Sequence, residues 1–213
     1  MHKTIFLFLS ILIAIISFGQ SSSDLYKKSV DAINNGKVEK SLSYLDKILK
    51  TDPNYKDALF LRAYIYYNTQ KYDLALTDLD NLIKVDSAFN GALENRAQVK
   101  ISLGDYKGSI ADDDIRIKLD STNAKIYFNR GYCKGMLFDI EGSIKDYDKA
   151  IELDPNYKEA YANRGSAKIN LLTTKGNLHP SKEQSADACN DLNKAKQLGD
   201  DSVDDLIFIY CNK

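Results

Sequence analysis

Few residues in this chain of 213 residues have a type and spacing suited to chemistry. Hydrolysis or group transfer needs an activated nucleophile beside a base, or a bound metal. The two histidines are His2, in the apolar leader, and His179, in the loop-like stretch "TTKGNLHPSKEQ". His179 therefore reads as a solvated loop residue and not as a general base. No HExxH, GxSxG, GxxxxGK or CxxC motif occurs. The run Asp112–Asp113–Asp114 lacks the spacing of a calcium loop, and successive side chains on a helix cannot face one ion. It reads as a solvated acidic face. One other set of reactive types stands out: Arg62, Arg96, Arg130 and Arg164, each 34 residues after the last. That interval serves no nucleophile and no phosphate cradle. It is the period of a repeated structural unit.

Composition narrows the classes further. Hydrophobic residues make up 44% and charged residues 28% of the chain, which is packable globular material. The formal net charge of -1 excludes a dedicated binder of nucleic acid or anionic lipid, both of which depend on clustered Lys and Arg. The chain opens "MHKTIFLFLSILIAIISFGQ". Lys3 forms a positive n-region, Ile5 to Ile16 an apolar h-region, and Ser17 and Gly19 the small residues before a cut at Gln20. Residues 1–19 are thus expected to be a cleaved signal peptide, with an uncleaved anchor as the alternative. The apolar run falls short of the ~20 residues that span a bilayer, so the mature form is not expected to cross a membrane. The "SFGQ" ending resembles signal peptides of the Bacteroidota, which implies a periplasmic or secreted protein.

The elements that carry the arginines follow from the same interval. Repeats start at Ser22, Lys56, Asn90, Ala124 and Lys158. Small residues recur at repeat position 8 (Ser29, Ala63, Ala97, Gly131, Gly165) and at position 20 (Ser41, Ala75, Ser109, Ser143). They let two helices of a pair, A and B, approach closely. In "SIKDYDKAIELDPN" the apolar residues Ile144, Tyr147 and Ile151 follow helical spacing until a polar stop at Asp154 and Pro155. Each amphipathic helix is marginal alone, so burial must come from stacking on its neighbours.

In the fourth repeat Gly131, Ser143, Tyr147, Ala150 and Pro155 occupy signature positions of the tetratricopeptide repeat (TPR) family, which the chain resembles from about Ser22 to Asp200. The resemblance implies an all-α fold: a right-handed superhelix (α-solenoid) of five helix-turn-helix repeats within residues 22–213. The third repeat departs from the pattern, with Asp113 and Arg116 where an aromatic residue and alanine are usual. Its B helix is expected to be rotated or loosely packed. The fifth carries 23 residues between Gly165 and Ala188 where the others have 12, an insertion expected to form a loop. "SVDDLIFIYC", residues 202–211, is expected to cap the last repeat, with Ser202 or Asp201 at its N-cap. Cys189 and Cys211 fall in the last two predicted helices and are expected to pair; the ending also resembles exported TPR proteins of Bacteroidota with two cysteines similarly placed. Cys133 reads as a small buried hydrophobe.

The arginine column is expected to pack along helix B and pair with one of two acid columns, Asp78, Asp112 and Asp146 or Asp80, Asp114 and Asp148. The rival use is the grasping of an anionic ligand. The resemblance implies non-catalytic protein–protein interaction: an exported adaptor or assembly factor holding a protein or peptide segment in a groove lined by the A helices. Carried onto this sequence, that surface is Phe60, Tyr64, Asn95, Lys125, Phe128, Asn129, Tyr132 and Asn163. The alternative is a structural component of an envelope complex that docks by its convex face or an edge. No cofactor, metal or nucleic acid is implied. The chaperone-type carboxylate clamp of the family is not matched, since only Asn95 and Lys125 fit its pattern.

Overall fold

The computed structural model describes residues 21–174, 176 and 179–212, so the leader read as a signal peptide lies outside the described residues. Every regular element among the described residues is helical. The chain divides into two compact units, one up to Ser87 and one from Ala88. The first holds two helix pairs: α1 (Ser22–Asn34) with α2 (Val38–Thr51), and α3 (Lys56–Asn68) with α4 (Tyr72–Val85). The second holds three pairs: α5 (Ala92–Ser102) with α6 (Tyr106–Leu119), α7 (Ala124–Met136) with α8 (Ile140–Leu153), and α9 (Lys158–Thr174) with α10 (Lys182–Gln197). A 3-10 turn (Asp201–Val203) and α11 (Asp204–Tyr210) close it. Within each unit helix pairs stack on one another, the α-solenoid organisation, and the second unit ends in a short capping helix.

Local sequence explains each pair. In α8 the Asp139 side chain accepts the Gly142 N–H and starts the helix. Ser143, Asp146, Tyr147 and Ala150 then turn inward at i, i+3, i+4 and i+7. The helix stops at Asp154, whose backbone is extended, just before Pro155. Helix pairs close tightly because position 8 has no room for a larger side chain. A β-carbon on Gly165 would lie 2.8 Å from the Leu192 side chain, and one on Gly131 would lie 3.0 Å from the Tyr147 ring.

The third pair corrects the expectation of a rotated helix. α6 buries Ser109, Asp112, Asp113 and Arg116, the same four repeat positions that α8 buries. The helix keeps its face and takes a charged pair into the core. The insertion in the fifth pair is also not simply a loop. α9 runs 17 residues where the other A helices run 11 to 13, and α10 starts six residues before Ala188. An extra turn of α9 and an early start of α10, fixed by a capping box at Ser181 and Gln184, absorb most of the added length.

The cap covers the outer side of the last pair. Val203 is buried with Ala162, Leu192 and Ala195, and Leu206, Ile207 and Cys211 pack around them. The 3-10 turn starts from Asp200, whose side chain accepts the Ser202 N–H, one residue before Asp201 and two before Ser202, the caps that the sequence pattern indicated. Cys189 and Cys211 lie side by side, with Cα atoms 5.6 Å apart, a separation that suits a disulfide, and Ser185 Oγ donates to the Tyr210 carbonyl at 3.1 Å. Cys133 is buried and unpaired, its Sγ 3.5 Å from Ser109 Oγ.

Candidate functional site

The arginines recur because each one ties helices together. Arg130, on α7, donates from Nε and Nη2 to both oxygens of Asp146 on its partner helix α8, at 2.9 and 2.6 Å. Its Nη1 reaches back to Asp114 on α6 at 2.7 Å. One guanidinium thus grips the B helices of two successive pairs through a bidentate and a single bond. Arg164 repeats this with Asp191 and Asp148, and in the first unit Arg62 does so with Asp78 and Asp46. Arg96 makes the bidentate bond to Asp112. Hydrogen bonds to Asp146 and then Asp114 hold the Arg130 guanidinium more firmly protonated than usual, against the cost of burial. Both acid columns are used, and these guanidiniums are engaged by carboxylates, which removes the reading of an anion-grasping row.

Sequence reasoning missed a second cation column. Lys100, Lys134 and Lys168 bond Asp112, Asp146 and Asp191 at 2.8, 2.7 and 2.7 Å, so each of these buried carboxylates meets two cations. The signal was present, since the lysines repeat at the same interval as the arginines. The expected solvated acidic face at Asp112–Asp114 is likewise corrected: Asp112 and Asp113 are buried, and Asp114 is held by Arg130. Asp113 accepts from Arg116 Nη1 at 2.7 Å, while its Oδ2 has no partner. Burial pushes its carboxyl up to about 6 in spite of Arg116. Arg116 also faces Glu94 at 3.3 Å, and Glu94 takes Lys125 Nζ at 2.8 Å.

The eight groove residues are distributed over four A helices. Phe60 and Tyr64 lie on α3 in the first unit, Phe60 half-buried and Tyr64 exposed. In the second unit, Asn95 is on α5, Lys125, Phe128, Asn129 and Tyr132 on α7, and Asn163 on α9. Tyr132 and Asn163 come together in a cleft of about 200 Å³ with Met136, Tyr147 and Asn170. Two of the others already have neighbours. Phe128 lies between Tyr147 and Tyr157, with ring centroids 5.8 and 4.9 Å away. Lys125 is paired with Glu94. Burial pushes the phenol of Tyr147, which lines this cleft beside Asn163, up to about 12. Tyr132 stands edge-on to Tyr106.

His179 is exposed. Among the described residues no group of His, Cys, Asp or Glu side chains could hold a metal ion, and no helix is long and apolar enough to cross a membrane. Large apolar side chains are instead exposed at helix ends: Phe138 in the turn between α7 and α8, and Phe208 and Ile209 on the cap.

Two family profiles described as tetratricopeptide repeat match residues 26–86 and 124–157. Uncharacterized protein MJ0572 of Methanocaldococcus jannaschii is 47% identical over 38 residues, 18% of this chain and 44% of that protein, so the chain spans less than half of that curated relative. Among solved structures, MamA (residue 41 to the end) from Desulfovibrio magneticus RS-1 has a TM-score of 0.73 at 19% identity, over 85% of this chain and 97% of that one. YrrB, described as a TPR protein with an unusual peptide-binding site, has a TM-score of 0.71 at 17% identity, over 89% and 92% of the two chains. At those identities the likeness is one of fold. The 34-residue interval, the two matched segments and the five helix pairs among the described residues are all similar to those of tetratricopeptide repeats.

Proposed function

We propose that the chain is a non-catalytic scaffold that docks to another protein by the edges of its helix pairs, as a structural component of a larger assembly. One observation carries this reading: three of the groove residues expected to meet a partner already meet neighbouring side chains, and although Tyr64 and Tyr132 stay exposed, the most exposed aromatic side chains, Phe138 and Phe208, stand at a helix turn and on the cap. Lys125 has Glu94, Asn163 has Tyr147, and Phe128 has two rings. Phe208 is 77% exposed on a cap helix none of whose own residues is buried. The enriched anchors of protein interfaces are large apolar and aromatic groups that lose water on binding. Photo-crosslinking side chains placed at Phe208 and Phe138, and separately at Asn129 and Tyr132, test the choice in the producing cells. Adducts with one protein from the edge positions support edge docking, and adducts from Asn129 and Tyr132 alone reverse it.

The second reading, a peptide held in the A-helix groove, is supported by the cleft beside Tyr132 and by the peptide-binding site that YrrB's description assigns to that protein. In the second unit it sets Asn95, Lys125, Phe128, Asn129, Tyr132 and Asn163 against the ligand, and in the first unit, taken by itself, Phe60 and Tyr64. Its test is Tyr132→Ala against Tyr26→Ala, with helical circular dichroism retained in both; a groove centred on α7 loses its partner only with the first.

The proposal extends to an exported protein, cut before Gln20 and located in the periplasm or outside the cell, on the evidence of its leader. In that compartment a Cys189–Cys211 disulfide would persist. Mass measurement of the native protein without reduction checks both points. A retained Met1 rejects cleavage, and three free thiols reject the disulfide.

A further inference from the structure

The turn between α7 and α8 is built against the ordinary preferences of a turn. Equivalent positions in the earlier A–B turns hold Gly36, Gln70 and Gly104, all with left-handed backbones. Glycine suits that conformation because a β-carbon crowds the carbonyl oxygen. The fourth turn places Phe138 there, at φ 64, and where Gln70 is a polar side chain suited to water this one is a large apolar ring, 87% exposed. The chain therefore holds a phenylalanine in a disfavoured conformation and then leaves its apolar area in water.

The surroundings show what such a ring could serve. Met136 and Leu137 beside it are also exposed. Phe138 and Ile140 form one side of an open cleft of about 440 Å³, and Leu171 and Thr174 form the other. Leu171 and Thr174 belong to the extra turn of α9, so the lengthened helix of the fifth pair supplies that wall. Asp139 and Glu141 complete the lining. Asp139 Oδ1 accepts the Gly142 N–H, which fixes this carboxylate at the rim.

We propose that this turn is a docking site for a basic amphipathic segment of a partner protein. An aliphatic side chain of the segment fills the cleft between Phe138, Ile140 and Leu171, and its Lys or Arg residues lie beside Asp139. Charge decides the class of occupant. Met136, Leu137 and Phe138 alone would also suit a lipid surface, but the Asp139 carboxylate at the rim repels the anionic headgroups that draw proteins to membranes. A cationic segment gains from the same carboxylate. The site rests on the edge-docking reading above and names the chemistry of one edge.

The test uses the protein without its leader, a fluorescent Leu/Lys amphipathic peptide, its Leu/Glu counterpart, and phosphatidylglycerol vesicles. The Leu/Lys peptide is expected to bind more tightly than the Leu/Glu peptide, by roughly tenfold or more, with affinity falling as salt rises. Phe138→Gly relieves the backbone and removes the ring, so it is expected to weaken the Leu/Lys peptide by on the order of tenfold while the thermal midpoint rises or holds. Glu141→Lys is expected to weaken the Leu/Lys peptide and favour its counterpart. Leu/Lys binding that is absent, or unchanged in Phe138→Gly, overturns the site. Vesicle binding that depends on Phe138, without Leu/Lys peptide binding, overturns it in favour of a lipid surface. If crosslinks from Phe208 persist while the Leu/Lys peptide ignores Phe138, this site fails and edge docking stands.

Discussion

The buried pair Asp113–Arg116 offers the most exacting test of how this stack is held. Sibling pairs place Leu45 with Ile48, Leu79 with Leu82, and Tyr147 with Ala150 at these two core positions. Asp113 is fully buried, its Oδ2 lacks a partner, and its carboxyl is raised from 3.8 to about 6, burial being the largest cause. That difference corresponds to about 3 kcal/mol of stability withheld at neutral pH. Because the folded-state value lies above the unfolded one, Asp113 favours folding most below about pH 4, and this contribution is lost as pH rises to about 6. Replacing the pair with Asp113→Leu and Arg116→Ala is expected to stabilise the protein by about 1–4 kcal/mol, whereas Arg116→Ala alone strands the carboxylate and costs about 3–5 kcal/mol. Glu94 loses one cation in both variants but keeps Lys125, and its partial exposure makes that change small. Urea unfolding followed by far-ultraviolet dichroism, at about pH 5 and pH 7, separates the effects: the double variant should lose the extra stability that Asp113 contributes at the lower pH. A double variant no more stable than Arg116→Ala, or an unaltered dependence between those pH values, would refute the reasoning.

Three further outcomes follow from the same contacts. Arg130→Ala leaves the nearly buried Asp146 with Lys134 only and releases Asp114, and should cost about 2–4 kcal/mol in urea unfolding; an unchanged midpoint counts against the clamp. Gly165→Ala forces a β-carbon to 2.8 Å from Leu192 and 3.1 Å from the Ala188 carbonyl, a strain of about 1–3 kcal/mol, while Gly135→Ala meets only Ser143 Oγ at 3.4 Å and should be near neutral. Reduction of the proposed Cys189–Cys211 bond, across a separation of 22 residues, should cost about 3 kcal/mol and speed amide exchange first in α11; uniform exchange would show that the cap is held without the bond.

Much of the fold was legible because repetition turns a weak local signal into a strong one. The arginine interval gave the helix pairs, and the small residues gave their close approach. What stayed hidden was local competition. The Asp113–Arg116 substitution looked like a reason for α6 to rotate, yet neighbouring Ser109 and Asp112 already fixed its face, and a paired charge could follow them inward. "TTKGNL" carries Gly176 and looked like loop, but Thr173 and Thr174 extend α9, where their hydroxyls bond back to helix carbonyls. In the groove, residue type was readable and engagement was not. An asparagine facing a peptide and an asparagine facing Tyr147 look alike in sequence.

An ionic column inside an apolar stack calls for a reason, since partly buried ion pairs add little net stability over apolar packing. Near-identical helix pairs pose a specific hazard: an apolar face that fits one neighbour also fits the next register. Arg62 and Arg130 each reach one acid 16 residues earlier and another 16 residues later. A helix that slid by one turn would break both bonds and bury unpaired charge, so slippage is penalised far more heavily than the native pairing is rewarded. The fifth pair shows the rule holding under insertion. Arg164 still meets the acid 16 residues before it, but its second acid, Asp191, now lies 27 residues on. The added segment is looped out of register while the ion pair is kept. The clamp thereby leaves the inserted residues free to lengthen α9 past the core, and it is this overhang, through Leu171 and Thr174, that walls the cleft beside Phe138.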